Sequence, residues 1–225
     1  VCGRYTIAKP KRIVEVFKPD LMLADSDRPR FNIAPMQKVP VVMTEEGRSV
    51  VRDCQWGLVP AWAKDPAIGS RMINARAESV ATKPSFRDSF RRYRCLVPFD
   101  GFYEWRLTPE GRKQPTYIRV DEGAMLAFAG LYARWTRGGS SLLTCTIITT
   151  AANEKIKPIH ERMPVILPPY AWPQWTDASM EDSAELESML KAFDGGRMDA
   201  CEVSSVVNSP SNDSPDCIAP LDHKS

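Results

Sequence analysis

"MLAFAGLYARW" (residues 125–135) and "SLLTCTIITT" (141–150), with "PTYIRV" (115–120) just ahead of them, decide the fold class. All three are rich in β-branched and aromatic residues, which suit a pleated, half-buried surface. They read as successive strands. Upstream, "VPVVMT" (39–44) and "RSVVRDCQW" (48–56) flank Glu45, Glu46 and Gly47, a hairpin signal. "RCLVPFDGFYEW" (94–105) reads as one or two strands bent at Asp100–Gly101. Helical pattern is sparse. "PKRIVEVF" (10–17) is a short helix opened by proline, where a missing N–H costs little. "SMEDSAELESMLKAF" (179–193) is the strongest helix, with Ser179 and Asp182 as a capping box and Leu186, Met189, Leu190 and Phe193 on one face. Strands do not alternate with helices, so a doubly wound parallel sheet is not expected. The expectation is an α+β, β-rich single domain with peripheral helices.

The chain has 225 residues, 43% hydrophobic and 26% charged, enough for one large domain. No apolar run approaches the ~20 residues of a membrane span. The opening residues show neither a basic nor an apolar signal region, so a cytoplasmic protein is expected, nucleoid-associated if bacterial. Six cysteines (Cys2, Cys54, Cys95, Cys145, Cys201, Cys217) are scattered with no Cys-x-x-Cys pair, so reduced thiols are expected. With only His160 and His223 available, no metal or other cofactor is expected.

Charge is uneven. Residues 171–225 hold eleven acids and three bases, so the preceding residues are strongly basic against an overall net charge of +2. "RAESVATKPSFRDSFRRYR" (76–94) interleaves Arg76, Lys83, Arg87, Arg91, Arg92 and Arg94 with Phe86, Phe90 and Tyr93. That pattern fits a phosphate-tracking groove with stacking platforms, and equally a solvated helix with an apolar stripe.

Four polar residues sit in chemically suggestive settings. Cys2 lies where a chain end would offer an amine of pKa near ~8 beside a thiol near ~8.5. Such a pair condenses with an aldehyde to an imine, which the thiol closes to a thiazolidine. An incidental buried cysteine is the plain alternative. His160, in "IHERMP", is the residue type best suited to giving and taking protons, and Arg162 shares its face if the segment is extended. A structural histidine fits the same stretch. Glu104 is flanked by Phe102, Tyr103 and Trp105, a setting that raises a carboxyl pKa if buried; pairing with an arginine is the alternative. Asn74, in "INARAES", is a neutral orienting amide with Arg76 and Glu78 at spacings of two.

The ordered series "CGRYT" (2–6), "FNIAP" (31–35), "WGLVPAW" (56–62), "INARAES" (73–79), "PFDGFYEW" (98–105), "TTAAN" (149–153), "IHERMP" (159–164) and "NDSPDCIAP" (212–220) resembles the SRAP family of SOS-response-associated peptidases, also described as abasic-site processing proteins. The likeness spans residues 1–222 and leaves 223–225 as a polar tail. It implies a compact β-rich domain with a basic channel for single-stranded DNA. It implies covalent capture of abasic sites through a thiazolidine at Cys2, with Asn74, Glu104 and His160 completing the site. Arg4, Arg76, Arg162 and Thr149 would contact the strand. Trp62 and Trp105 would stack on bases or simply pack, with packing favoured. A monomer that meets replication-fork proteins is expected. One departure stands out. Family members expose the cysteine by losing an initiator methionine, whereas Val1 precedes Cys2 here, which a GTG start codon written as valine would reconcile. Two other readings remain: a cysteine peptidase using Cys2 and His160, with limited autoproteolysis, and a non-covalent single-strand binder using 76–94.

Overall fold

The computed structural model describes residues 2–221, so His223 and the expected tail lie outside it. Its strands run in order as β1 (Arg4–Ile7), β2 (Leu21–Met22), β3 (Arg30–Ile33), β4 (Lys38–Glu45), β5 (Arg48–Trp56), β6 (Asn74–Arg76), β7 (Arg94–Phe99), β8 (Gly101–Leu107), β9 (Lys113–Val120), β10 (Leu126–Arg137), β11 (Ser140–Ala151), β12 (Arg162–Pro164), β13 (Ile166–Leu167) and β14 (Met198–Glu202). The α-helices are short: α1 (Arg12–Phe17), α2 (Arg87–Arg92), α3 (Trp172–Thr176) and α4 (Ser183–Ser188). Among the described residues, no helix is long and apolar enough to cross a membrane.

Two sheets result. The smaller has the order β14–β9–β8–β1–β3. The larger runs β12–β11–β10–β7–β4–β5–β2 and then joins back on itself, because β11 also pairs with β5 in parallel, Cys145 opposite Trp56. Strands β4, β5, β11, β10 and β7 therefore close into a barrel, which leaves those strands no free edge. The hairpin β4–β5 turns at Glu46 and Gly47, both at positive φ (50° and 75°), as a tight two-residue turn requires.

The stretch 94–105 is two strands in different sheets. β7 belongs to the barrel and β8 to the smaller sheet, with the change of sheet at Asp100. Gly101 is needed there, since a Cβ would lie 2.1 Å from the Tyr117 hydroxyl. Aromatics weld the sheets. Phe102 and Tyr5 from the smaller sheet meet Phe128, Phe99 and Trp56 from the barrel, with Phe99 stacked on Phe128 at 3.8 Å and Tyr5 edge-on to Trp56 at 5.3 Å. All five are completely buried. Each such contact adds about 0.5–1.5 kcal/mol beyond area burial.

Two expectations need correction. The helix expected over 179–193 is only α4. Asp182 caps it alone, accepting from the Ala184 and Glu185 N–H groups, while the Ser179 hydroxyl donates to Asp177 at 2.7 Å. Its end tightens into three-residue turns at Met189 and Leu190, and Leu190 and Phe193 reach the core beyond it. The stretch 76–94 does not present aromatic platforms in series. Phe86 and Phe90 are core residues, and only Tyr93 is exposed. Arg94 is buried and donates to the carbonyls of Trp175, Phe90, Arg91, Met180 and Asp177. It ties α2 to the chain after α3, as a buried guanidinium must be tied if it is to remain charged.

Candidate active site

β1 and β8 run antiparallel, with Arg4 opposite Tyr103 and Thr6 opposite Gly101. This register carries Cys2, just ahead of β1, alongside Glu104. The Cys2 N–H donates to Glu104 Oε1 at 2.5 Å. From the barrel side, Asn74 at the start of β6 donates its Nδ2 to the Cys2 carbonyl at 3.2 Å. Both backbone polar groups of Cys2 are thus held by side chains, one from each sheet. The residue is fully buried although it lies outside any strand.

β11 places the rest. β6 lies parallel to it (Ile147 opposite Asn74), and β12 lies antiparallel (Ala151 opposite Arg162). His160 precedes β12 and is not extended with Arg162. Instead its ring folds back, and the Arg162 N–H donates to Nδ1 at 3.0 Å. Nδ1 is then an acceptor, so a neutral ring carries its proton on Nε2. The electrostatics join these groups. Burial raises the Glu104 carboxyl above its ordinary range, while His160 and the Cys2 N–H pull it back. Burial, reinforced by Glu104, raises the Cys2 thiol well above its ordinary value. The site therefore holds a carboxyl and a thiol on either side of one nitrogen, both with pKa raised by burial.

The expected strand contacts separate. Arg76 is exposed. The Arg4 guanidinium donates to Asn32 Oδ1 (2.8 Å) and the carbonyls of Val207 (2.6 Å) and Asn208 (3.1 Å), and it lies 5.8 Å over the Trp105 ring. Trp105 in turn donates Nε1 to Asn208, so this pair clasps the acidic C-terminal segment. Trp62, expected to pack, is 57% exposed instead. Thr149 is buried, and its carbonyl accepts from Arg162 at 2.7 Å. The larger omission is Glu78, which forms a two-pronged ion pair with Arg162, both contacts at 2.9 Å. Its partner lies 84 residues away, so nothing local in the sequence announces it.

Comparison with known proteins identifies the family. Residues 1–210 match the family described as SOS response associated peptidase (SRAP). The chain is 42% identical to the abasic site processing protein YoqW of Bacillus subtilis over 97% of this chain and 99% of that one. It is 30% identical to the abasic site processing protein HMCES of Gallus gallus, over 91% and 70% of the two chains. A crystal structure of a protein from Bacteroides thetaiotaomicron superposes with a TM-score of 0.88 at 27% identity, over 98% of this chain and all of that one. The chain belongs to the SOS response associated peptidase family.

Proposed function

We propose that this protein processes abasic sites in single-stranded DNA by attaching itself to them through Cys2, once the residue ahead of it is removed and the nitrogen is a free amine. The names of its relatives support the lesion. The observation that carries the chemistry is the Cys2 nitrogen resting 2.5 Å from a buried carboxyl of raised pKa. Raising a carboxyl pKa moves it toward the range in which it both takes and returns protons.

The steps follow from the groups present. The abasic deoxyribose is mostly a closed hemiacetal, and His160 serves its ring oxygen with the Nε2 proton while the C1′ hydroxyl proton returns to the imidazole through water, opening the ring to the C1′ aldehyde. The Cys2 amine adds to C1′ and passes one proton to the carbonyl oxygen; protonated Glu104 then gives its proton to the resulting hydroxyl, which leaves as water and leaves a protonated imine. The Cys2 sulfur then adds to the carbon of that protonated imine, and the thiol proton passes to the Glu104 carboxylate, which restores the acid. C1′ ends bonded to both N and S in a five-membered ring, and one water is released overall. Asn74 keeps the Cys2 backbone from rotating while this happens. A thiol that stays protonated until the imine forms suits this order. It suits a thiolate-first peptidase poorly, since such a nucleophile needs a lowered pKa. Removal of the residue ahead of Cys2 fits the same geometry, because Glu104 is placed to protonate that nitrogen as a leaving group.

The test is incubation with single-stranded DNA bearing one abasic site, followed by denaturing electrophoresis and mass mapping. The expected result is an adduct on a chain beginning at Cys2 and none with Cys2→Ala. An adduct that survives Cys2→Ala, or forms on a chain that still carries residue 1, overturns the proposal.

A further inference from the structure

The Glu78–Arg162 pair is lopsided. The Arg162 side chain is 11% exposed and that of Glu78 55%. Arg162 is held from within by the Thr149 carbonyl at 2.7 Å, so its outward edge is what Glu78 covers. Glu78 arrives from the solvent side, on the single turn Ala77–Ser79 that follows β6. Its carboxyl lies below the usual range, first through the Arg162 hydrogen bonds and also through the charge of Arg76. Two arginines thus act on one half-exposed acid. The pair also sits close to the reactive groups, since β6 begins with Asn74 and His160 is two residues before Arg162.

A carboxylate and a phosphodiester offer a guanidinium the same two-oxygen edge. Glu78 occupies the place a strand phosphate would take beside the site. We infer that Glu78 is a specificity-determining residue: in the free protein its carboxylate fills the Arg162 fork, and a phosphate of the bound strand displaces it. This rests on the DNA reading above. Every strand must break the ion pair to seat. Undamaged single strands exchange one ion pair for another, with no covalent anchor to drive the exchange. A strand already joined to Cys2 presents its neighbouring phosphate at high effective concentration, so the displacement goes forward. Glu78 therefore selects against binding that does not lead to the adduct.

The experiment is equilibrium binding of fluorescent single-stranded DNA without an abasic site, across a salt series, to wild type, Glu78→Gln, Arg162→Gln and the double variant, with thermal melts of each. Glu78→Gln is expected to bind about fivefold tighter at low salt, the worth of one partly exposed ion pair. Its salt dependence should steepen by up to about one counterion. Arg162→Gln should bind more weakly, and the double variant no tighter than Arg162→Gln. A purely structural tether gives the opposite signature, a lower melting temperature with no gain in affinity. Unchanged or weaker binding by Glu78→Gln overturns the inference, as does a gain that survives loss of Arg162. The same strand carrying one abasic site is run alongside: no adduct by wild type with that strand overturns the DNA reading itself, and the inference with it.

Discussion

Two buried carboxylic acids lie four residues apart at the β1–β8 seam, and their surroundings assign them different work. Asp100 accepts from the Thr6 hydroxyl at 2.6 Å and the Lys9 N–H at 3.0 Å, and Thr6 also contacts the Tyr117 hydroxyl at 3.1 Å. These partners are hydroxyls and a backbone amide, none of which titrates near neutrality. Tyr117 is itself pushed up to about 12 by burial. Glu104 faces the nitrogen of Cys2, with His160 within electrostatic reach. Burial raises both acids. A raised carboxyl pKa therefore does not identify a catalytic acid. What separates the two is whether the partner can exchange protons with a substrate.

The widest separation is expected from isosteric amides. Glu104→Gln should slow adduct formation about 10²–10⁴-fold, the range for loss of a general acid–base. Its melting temperature should be no lower than wild type, since the amide keeps the acceptor oxygen for the Cys2 N–H and removes a group whose ionised form burial disfavours. Asp100→Asn should leave the rate per folded molecule nearly unchanged and cost about 1–2 kcal/mol of stability, because one donor loses its acceptor. Single-turnover adduct kinetics and denaturant titrations on the two variants would make the comparison. A Glu104→Gln protein of normal rate, or an Asp100→Asn protein slowed like a catalytic variant, would dissolve the distinction.

Next in size is Gly101→Ala. The added methyl meets the Tyr117 ring and hydroxyl rather than a flexible side-chain end, so about 1–3 kcal/mol of destabilisation is expected. Because Gly101 pairs with Thr6 in the ladder that aligns Cys2 with Glu104, the adduct rate should fall as well. A variant of normal stability and normal rate would show that the seam does not set the reactive distance.

Much of this was legible in the sequence, and the reason differs by region. Strands such as 126–137 and 140–151 declare themselves because β-branched and aromatic residues act locally. Barrel closure through β5 and β11 does not, because a parallel pairing between strands some ninety residues apart leaves no local pattern. Cys2, Asn74 and Glu104 were each legible as unusual, and the structure joins them by hydrogen bonds. In 76–94 the four-residue spacing of Phe86 and Phe90 is that of a buried helix face, and aromatics read from spacing alone do not reveal whether they face DNA or core. Arg94 misleads for a related reason, since carbonyls that satisfy a buried guanidinium are invisible in a list of charges.

The smallest expected effect is on the pH dependence of stability, and its sign is definite. Asp100 and Glu104 have folded pKa values above their unfolded ones, so the folded state binds more protons between the two. Their contribution is present below the ordinary carboxylate range and is lost as pH rises through the raised values. Glu78 runs the other way. Its lowered pKa contributes stability above the ordinary range that is lost on acidification through the folded value, and its exposure keeps that term small. Denaturant titrations between about pH 4 and 8 should therefore show wild-type stability declining toward neutrality. Glu104→Gln and Asp100→Asn should each flatten that decline, and Glu78→Gln should leave it in place or steepen it slightly. If Glu104→Gln left the decline untouched while Asp100→Asn removed it, the Glu104 carboxyl would not be held in its protonated form. The amine would then face an ordinary carboxylate, and proton delivery to the departing hydroxyl would have to come from His160.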